Sequence, residues 1–256
     1  MQKLISYNVN GIRAALNKGI DEWLKVSSPD IFCVQETKAL KEQLDSRVFT
    51  DLGYNQYWFS AQKKGYSGVM VLSKTEPDKV LYGMGMEKYD AEGRVIRLDF
   101  NDTTLINVYI PSGTQGGPRQ IFKMEFLSDF LEFINKLKKE RPNLIITGDY
   151  NICHKPIDIN HPERHKKSSG FLPEEREWLD QFEASGFFDS FRKFNAQPEQ
   201  YTWWSYRANS RAKNLGWRID YFWLSQSMIN NIESAAILPD VSHSDHCPIE
   251  IRTSFL

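Results

Sequence analysis

Cysteine is scarce in this chain: three in 256 residues, Cys33, Cys153 and Cys247. The count is odd and the spacing matches no metal-ligand pattern, which argues against a disulfide framework and a cysteine-based zinc site. A reducing compartment fits this usage. Long apolar runs are also missing, and none approaches the roughly 20 residues that a membrane-spanning helix needs. The first strand signal begins within a few residues of Met1, so no signal or transit peptide is expected. Net charge is nearly absent, at -1, so local patches rather than the sum decide whether a polyanion binds. No Gly-x-Ser-x-Gly elbow and no plausible cysteine nucleophile occur, which speaks against covalent acyl chemistry. There is no repeat, no low-complexity tract and no linker. The expectation is one domain over residues 1–256, cytoplasmic, of bacterial style, with no membrane partner.

What is present is a series of short apolar runs that end on polar residues. Leu144-Ile145-Ile146-Thr147 reads as a buried strand and is followed by Gly148-Asp149-Tyr150-Asn151. Glycine permits a sharp backbone turn there, and Asp149 and Asn151 fall on one face if the chain stays extended. An Asx-rich turn is the ordinary reading of such a stretch. Recurrence makes it more than that. Leu4-Ile5-Ser6-Tyr7 runs into Asn8-Val9-Asn10-Gly11, Ile31-Phe32-Cys33-Val34-Gln35 into Glu36-Thr37-Lys38, and the strand from Thr104 into Tyr109-Ile110-Pro111.

Between these runs, residues 12–26 are expected to form one helix, and residues 122–139 another whose apolar positions Phe122, Phe126, Leu127, Phe130, Phe133, Ile134 and Leu137 recur at helical spacing. Its aromatic stripe is core. Arg94 to Phe100 reads as a strand with one face less buried, joined by the Asn101-Asp102 turn to the next. The glycine-rich loop Ser112-Gly113-Thr114-Gln115-Gly116-Gly117 lacks a following Lys-Ser/Thr and is not a P-loop. Residues 151–170 form a positively charged loop whose histidines fit no zinc pattern. Pro173 opens a further helix, with Gly186 as its cap. Residues 201–218 mix Trp203, Trp204, Arg207, Asn209 and Trp217 without helical or strand periodicity, a composition suited to a nucleic-acid groove. Asp220 lies in the apolar run that follows and needs a partner if buried.

Collected, the strand-end residues are Asn8, Glu36, Tyr109, Asp149, Asn151, Asp220, Asp245 and His246. A sandwich of two mixed sheets could bring them to one rim. Oxygen ligands without cysteine select a hard cation such as Mg²⁺ or Mn²⁺, and a histidine beside a buried aspartate makes an oriented imidazole. A metal, an oriented water and a cationic groove together point to phosphodiester hydrolysis.

Seven ordered motifs then carry a family resemblance. Asn8-Val9-Asn10-Gly11-Ile12-Arg13, Gln35-Glu36-Thr37-Lys38, Gly65-Tyr66-Ser67-Gly68-Val69, Tyr109-Ile110-Pro111, Gly148-Asp149-Tyr150-Asn151, Gly216-Trp217-Arg218-Ile219-Asp220-Tyr221 and Ser244-Asp245-His246-Cys247-Pro248 resemble those of the exonuclease III type of apurinic/apyrimidinic endonuclease, end to end. The resemblance implies an α/β (α+β), DNase I-like four-layer sandwich of two mixed β-sheets flanked by helices. It implies incision 5′ to abasic sites in double-stranded DNA, leaving a 3′-hydroxyl, with cleaning of blocked 3′ ends and 3′→5′ exonuclease activity, by a monomer. By the family's pattern Glu36 is the main Mg²⁺ ligand (Mn²⁺ a plausible substitute), with Asn8, Asp149, Asn151, Asp245 and His246 in the metal site. Asp149 orients or deprotonates the attacking water, Asn151 and Tyr109 hold the scissile phosphate, and His246, oriented by Asp220, contacts that phosphate. Trp203 and Trp217 line the pocket for a flipped-out abasic sugar, and Asn10, Arg13, Lys38, Tyr66, Arg207 and Asn209 contact DNA. Two departures from the pattern stand out: Ser112 after Tyr109-Ile110-Pro111, and His165 and Ser168 before Gly170.

The rival readings are a DNase I-like phosphoesterase acting on lipid or small phosphoesters, and a catalytically silent DNA-binding relative. The tryptophan-arginine segment speaks against the first, and the intact Glu36, Asp149, Asn151, Asp245 and His246 against the second.

Overall fold

The computed structural model describes residues 1–45 and 47–254. In its first half the strands are β1 (Gln2–Asn8), β2 (Ile31–Gln35), β3 (Asn55–Phe59), β4 (Val69–Ser73), β5 (Lys79–Tyr82), β6 (Val95–Phe100) and β7 (Thr103–Tyr109). The second half supplies β8 (Asn143–Asp149), β9 (Phe187–Asp189), β10 (Trp203–Trp204), β11 (Gly216–Trp217), β12 (Asp220–Ser225), β13 (Ile232–Ile237) and β14 (Ile249–Thr253). Helices α1 (Ile12–Leu16), α2 (Ile20–Ser27), α3 (Arg47–Thr50) and α4 (Glu87–Asp90) lie among the early strands, and α5 (Gly117–Glu140), α6 (Pro162–His165), α7 (Pro173–Ala184) and α8 (Ser190–Phe194) among the later ones.

Two six-stranded sheets result, in the orders β13-β14-β1-β2-β4-β3 and β5-β6-β7-β8-β12-β9. Both are mixed: β1 with β2 and β7 with β8 run parallel, and the other neighbours antiparallel. Strand side chains alternate between faces, and the apolar runs supply both faces. In β2, Ile31 and Cys33 enter the core between the sheets, while Phe32 and Val34 join Ile12, Ile20 and Leu24 on the outer side. In β8, Ile145 enters the central core, while Leu144 and Ile146 pack with Phe126, Phe130 and Phe182 of α5 and α7. Three apolar layers therefore separate four layers of structure, the expected sandwich. Because both faces are apolar, polar groups help to fix how the sheets sit. Gln35 Nε2 donates to Asn107 Oδ1 across the gap at 2.7 Å, and Asn107 Nδ2 donates to the carbonyls of Val34 and Met70. Leaving one such buried group unpaired costs about 1–3 kcal/mol.

The structure corrects the sequence reading in three places. The helix expected over residues 12–26 is two helices, because the chain turns at Asn17-Lys18-Gly19 with Gly19 at φ 81°. The segment 201–218 contains a small antiparallel hairpin, β10 with β11, that sets Trp203 opposite Trp217. In β6 only Arg97 is half-buried, because the other sheet covers one face and the helical layer the other.

This topology places the site. The parallel pairs β1–β2 and β7–β8 end at Asn8, Gln35, Tyr109 and Asp149, while β12 starts at Asp220 and the chain enters β14 just after Asp245 and His246. All of these ends meet at one rim.

Candidate active site

Gly148 sits at φ 144°, and a Cβ there would lie 1.8 Å from the Val108 carbonyl oxygen. Only glycine lets β8 pass so close to β7, and this sets Tyr109 level with Asp149. On the other side, Asp220 pairs in register with Asp149. Facing residues of an antiparallel pair share a face, so two carboxylates meet. His246 lies against both: Nδ1 is 2.9 Å from Asp220 Oδ2 and Nε2 is 3.9 Å from Asp149 Oδ2. From the other sheet, Asn8 Nδ2 donates to Glu36 Oε1 at 2.9 Å and to Asp149 Oδ2 at 2.8 Å. One buried amide thus ties the two sheets' carboxylates together.

Electrostatics follow from this geometry. Burial raises the Asp149 carboxyl, and the charge of Asp220 raises it further. Burial alone would lower the His246 imidazole, but Asp220, Asp149 and Asp245 outweigh it and bring it up to about 10. Burial pushes Glu36 up, yet Lys38, 2.7 Å away, and Asn8 hold it below the ordinary carboxylate value. Glu36 also sits at φ 54°, in the left-handed region that a non-glycine residue seldom occupies. Ligand atoms of Glu36, Asp149 and His246 lie within 4.8 Å of one another, and this carboxylate-rich set suits a hard divalent cation.

Asn151 is anchored by its backbone N–H to Asp149 Oδ1 at 2.8 Å and by Nδ2 to the Ile110 carbonyl at 2.9 Å. Tyr109 is held from behind by Arg94, a buried guanidinium that donates to its carbonyl at 2.9 Å and lies over its ring. Burial and Glu36 push the Tyr109 phenol upward, so it stays a donor. Asp245 stands a step away from the central carboxylates: it accepts from Asn10 Nδ2 at 2.9 Å, from Trp203 Nε1 at 3.1 Å and from Ser244. Lys38 donates to Asn10 as well as to Glu36.

A cleft of about 770 Å³ opens over these groups and is lined by Trp203, Trp217 and Ile219, by the glycine-rich loop and by residues 168–170. Trp203 and Trp217 meet edge to face, with centroids 5.9 Å apart. Arg13 and Lys38 line a separate shallow groove beside Gly11 and Gly65. Tyr66 takes hydrogen bonds from Arg94 and Arg119 on its hydroxyl. Arg207 and Asn209 lie exposed on a 3₁₀ turn and do not line the cleft. His165 and Ser168, by contrast, do, with His165 edge-on to Trp217. His154 differs from the other histidines of that loop: it is buried, with Nε2 2.8 Å from Asp180, which Lys155 also engages.

Sequence reasoning missed Arg94, Lys123 and Glu175. Arg94 opens an apolar strand, a position that signals a partnered charge. Lys123 falls at the spacing of Phe126, Leu127 and Phe130, on the buried face of α5, and that placement was the available clue.

The model of the endonuclease/exonuclease/phosphatase family matches residues 5–246. An exodeoxyribonuclease of Bacillus subtilis is 44% identical over 97% of this chain and 98% of its own. The DNA repair nuclease APEX1 of Danio rerio is 40% identical over 97% of this chain and 81% of its own. Among solved structures, an AP endonuclease from Archaeoglobus fulgidus superposes with a TM-score of 0.91 at 28% identity, covering 100% of both chains.

Proposed function

The chain belongs to the endonuclease/exonuclease/phosphatase family as a DNA repair nuclease of the exonuclease III type, and from that premise we propose that it incises duplex DNA 5′ to abasic sites and clears blocked 3′ ends. The observation that carries the reading is the meeting of Glu36, Asp149 and His246 beside the Trp203–Trp217 pair. Glu36 and Asp149 would hold Mg²⁺, with Mn²⁺ as a substitute, while Asn8 fixes the carboxylates and Asp245 and His246 stand nearby. When bound, the cation supplies Lewis-acid stabilisation of charge on the phosphoryl oxygens.

The side chains do the rest. Asp149, whose carboxyl is raised, takes the proton of the attacking water. Asn151 and the Tyr109 hydroxyl hold the phosphate. His246, kept protonated and oriented by Asp220, donates to the oxyanion that grows in the transition state. The water oxygen bonds to phosphorus as the P–O3′ bond breaks, and the departing 3′-oxygen takes a proton from solvent, leaving a 3′-hydroxyl and a 5′-phosphate. Trp203 and Trp217 bound a pocket that takes a sugar without its base, and extruding such a sugar costs least where pairing is already lost. Lys38, Asn10, Arg13 and Tyr66 extend the DNA path beside Glu36, and Arg207 and Asn209 contact backbone outside the cleft. We take the protein to act as a monomer, with residues 1–256 as one domain. We place the protein in the cytoplasm because its sparse, unpaired cysteines suit a reducing compartment. Among the described residues no helix is long and apolar enough to cross a membrane.

The test is incision of a labelled duplex bearing one tetrahydrofuran abasic-site analogue, with Mg²⁺, with EDTA and with Asp149→Asn. Metal-dependent cleavage on the 5′ side, absent in both controls, is expected. No cleavage at excess wild-type protein would sink the reading in favour of a phosphoesterase acting elsewhere.

A further inference from the structure

One buried ion pair joins three walls of the cleft. Lys123 of α5 and Glu175 in the first turn of α7 are both fully buried, with Nζ 2.6 Å from Oε1. The same oxygen also accepts from Gln120 Nε2 at 3.0 Å and from Ser169 Oγ at 3.2 Å, a hydroxyl shared with Gln120 Oε1 at 2.8 Å. Its twin, Oε2, accepts from the backbone N–H groups of Gly170 at 2.6 Å and Leu172 at 3.0 Å. Lys123 Nζ in turn donates to the carbonyl of Asn151 at 2.8 Å. Gly170 lies against Trp217, so close that a Cβ would come within 2.8 Å of its Cζ3.

Stability alone is a poor reason for such a pair. Two buried charges seldom hold a fold better than apolar side chains of the same volume, because desolvation offsets their attraction. What the pair adds is geometry. One carboxylate holds the wall from Ser169 to Leu172, and its partner holds the backbone of Asn151, the residue proposed above to hold the phosphate. We propose that Lys123 and Glu175 are positioning residues for the reaction, fixing the distance between Asn151 and the Gly170–Trp217 side of the sugar pocket. The inference rests on the nuclease reading above. A residue that works through spacing shows itself in kcat and in selectivity, with little change in KM.

Glu175→Gln keeps the shape of the side chain but turns one acceptor into a donor. With its oxygen toward Gly170 and Leu172, its NH₂ faces Lys123. On the abasic duplex, kcat is expected to fall about ten- to a hundredfold with KM nearly unchanged, and to fall further than exonuclease activity on undamaged 3′ ends. Hydrogen exchange provides a readout that needs no activity: the Gly170 and Leu172 amides should exchange faster, while those of β8 keep their protection. A folded variant with wild-type kcat and wild-type exchange overturns the proposal. So does an equal loss of protection throughout the chain with the two activities falling together, since that is the mark of an ordinary core pair. If Glu175→Gln does not fold, Ser169→Ala removes one donor and leaves the ion pair; a smaller fall in the same direction is expected, and none overturns the inference. Inactive wild-type protein would instead count against the nuclease reading, and the exchange data would still show whether the pair holds the wall.

Discussion

Asp149 and Asp220 stand directly opposite each other across the β8–β12 ladder, and His246 bridges them from a third segment. Two facing buried carboxylates repel, and an imidazolium between them relieves the repulsion at the cost of being held protonated. The same contact that raises Asp149 therefore keeps His246 charged, so acid and base character are set together.

Asp220→Asn tests this coupling. The variant removes the largest charge that raises His246 and leaves the burial that lowers it, so the imidazole should titrate well below its wild-type value of about 10. Asp149 should titrate lower as well, because its neighbour's charge is gone. Histidine NMR titration in EDTA reads the first change directly. Activity should fall on the order of a hundredfold or more, as the donor loses its charge and orientation. An unchanged His246 titration would break the argument.

Gly148→Ala should be among the most damaging single changes in the chain. Its Cβ would overlap the Val108 carbonyl, a rigid backbone atom, at 1.8 Å, and the φ of 144° is unfavourable besides. Relief requires β7 and β8 to separate where Tyr109 faces Asp149. A loss of about 3 kcal/mol or more is expected, visible in thermal or urea unfolding, together with loss of incision. A variant as stable as wild type would mean that the strands can part at this point without penalty.

How much of this could be read from the sequence follows from where each residue sits. Asn8, Glu36, Tyr109 and Asp149 were legible because each ends a short apolar run, and such runs become central strands whose ends share a rim. β3 and β5 were not, because they are edge strands with half-exposed faces and no run of buried side chains; β9 has only three residues. Arg207 and Asn209 share a segment with Trp203 and Trp217 but not the cleft. The fold separates them, since Ala208 and Asn209 adopt positive φ and carry the turn outward. Lys123 went unread because a lysine between apolar residues is usually a solvated charge. Its partner lies 52 residues away, beyond the reach of any local pattern.

Gly170→Ala tests the pocket wall without touching a charge. The new methyl would press on the Trp217 ring at 2.8 Å and on the Asn151 carbonyl at 3.1 Å, at a φ of 95°. Strain of about 1–3 kcal/mol is expected. Trp217 is the softer neighbour, so the ring should move and the cleft change shape. Abasic-site incision should then drop more than exonuclease activity, and the tryptophan fluorescence should shift. Equal loss of both activities would assign the effect to Asn151 instead.

Acid stability depends on the buried charges behind the pocket. Arg218 is fully buried between Asp158, 2.8 Å from Nε, and Asp189, 2.6 Å from Nη2, and Arg192 reaches Asp158 as well at 2.6 Å. Burial pushes the Asp158 carboxyl up, but the two guanidinium groups outweigh it and hold it at about 2, against an ordinary 3.8. A carboxyl lowered in the folded state contributes stability that is complete above its unfolded value and is lost as the pH falls from about 4 through about 2. The shift corresponds to about 2–3 kcal/mol. At pH 7, Asp158→Asn should cost more, about 3–5 kcal/mol, because it also leaves the buried Arg218 short of a compensating charge and replaces the acceptor of the Lys155 N–H with a donor. The sign of the pH effect separates the two contributions. Urea unfolding of both proteins in EDTA, from pH 7 down toward 2, should show the gap between wild type and variant narrowing as the pH falls, since only the wild type loses the Asp158 charge. A gap that stays constant over that range would show that Asp158 gains nothing from Arg218 and Arg192 that an amide does not also gain, and the link from β11 and β12 to the loop at Asp158 would then rest on shape alone.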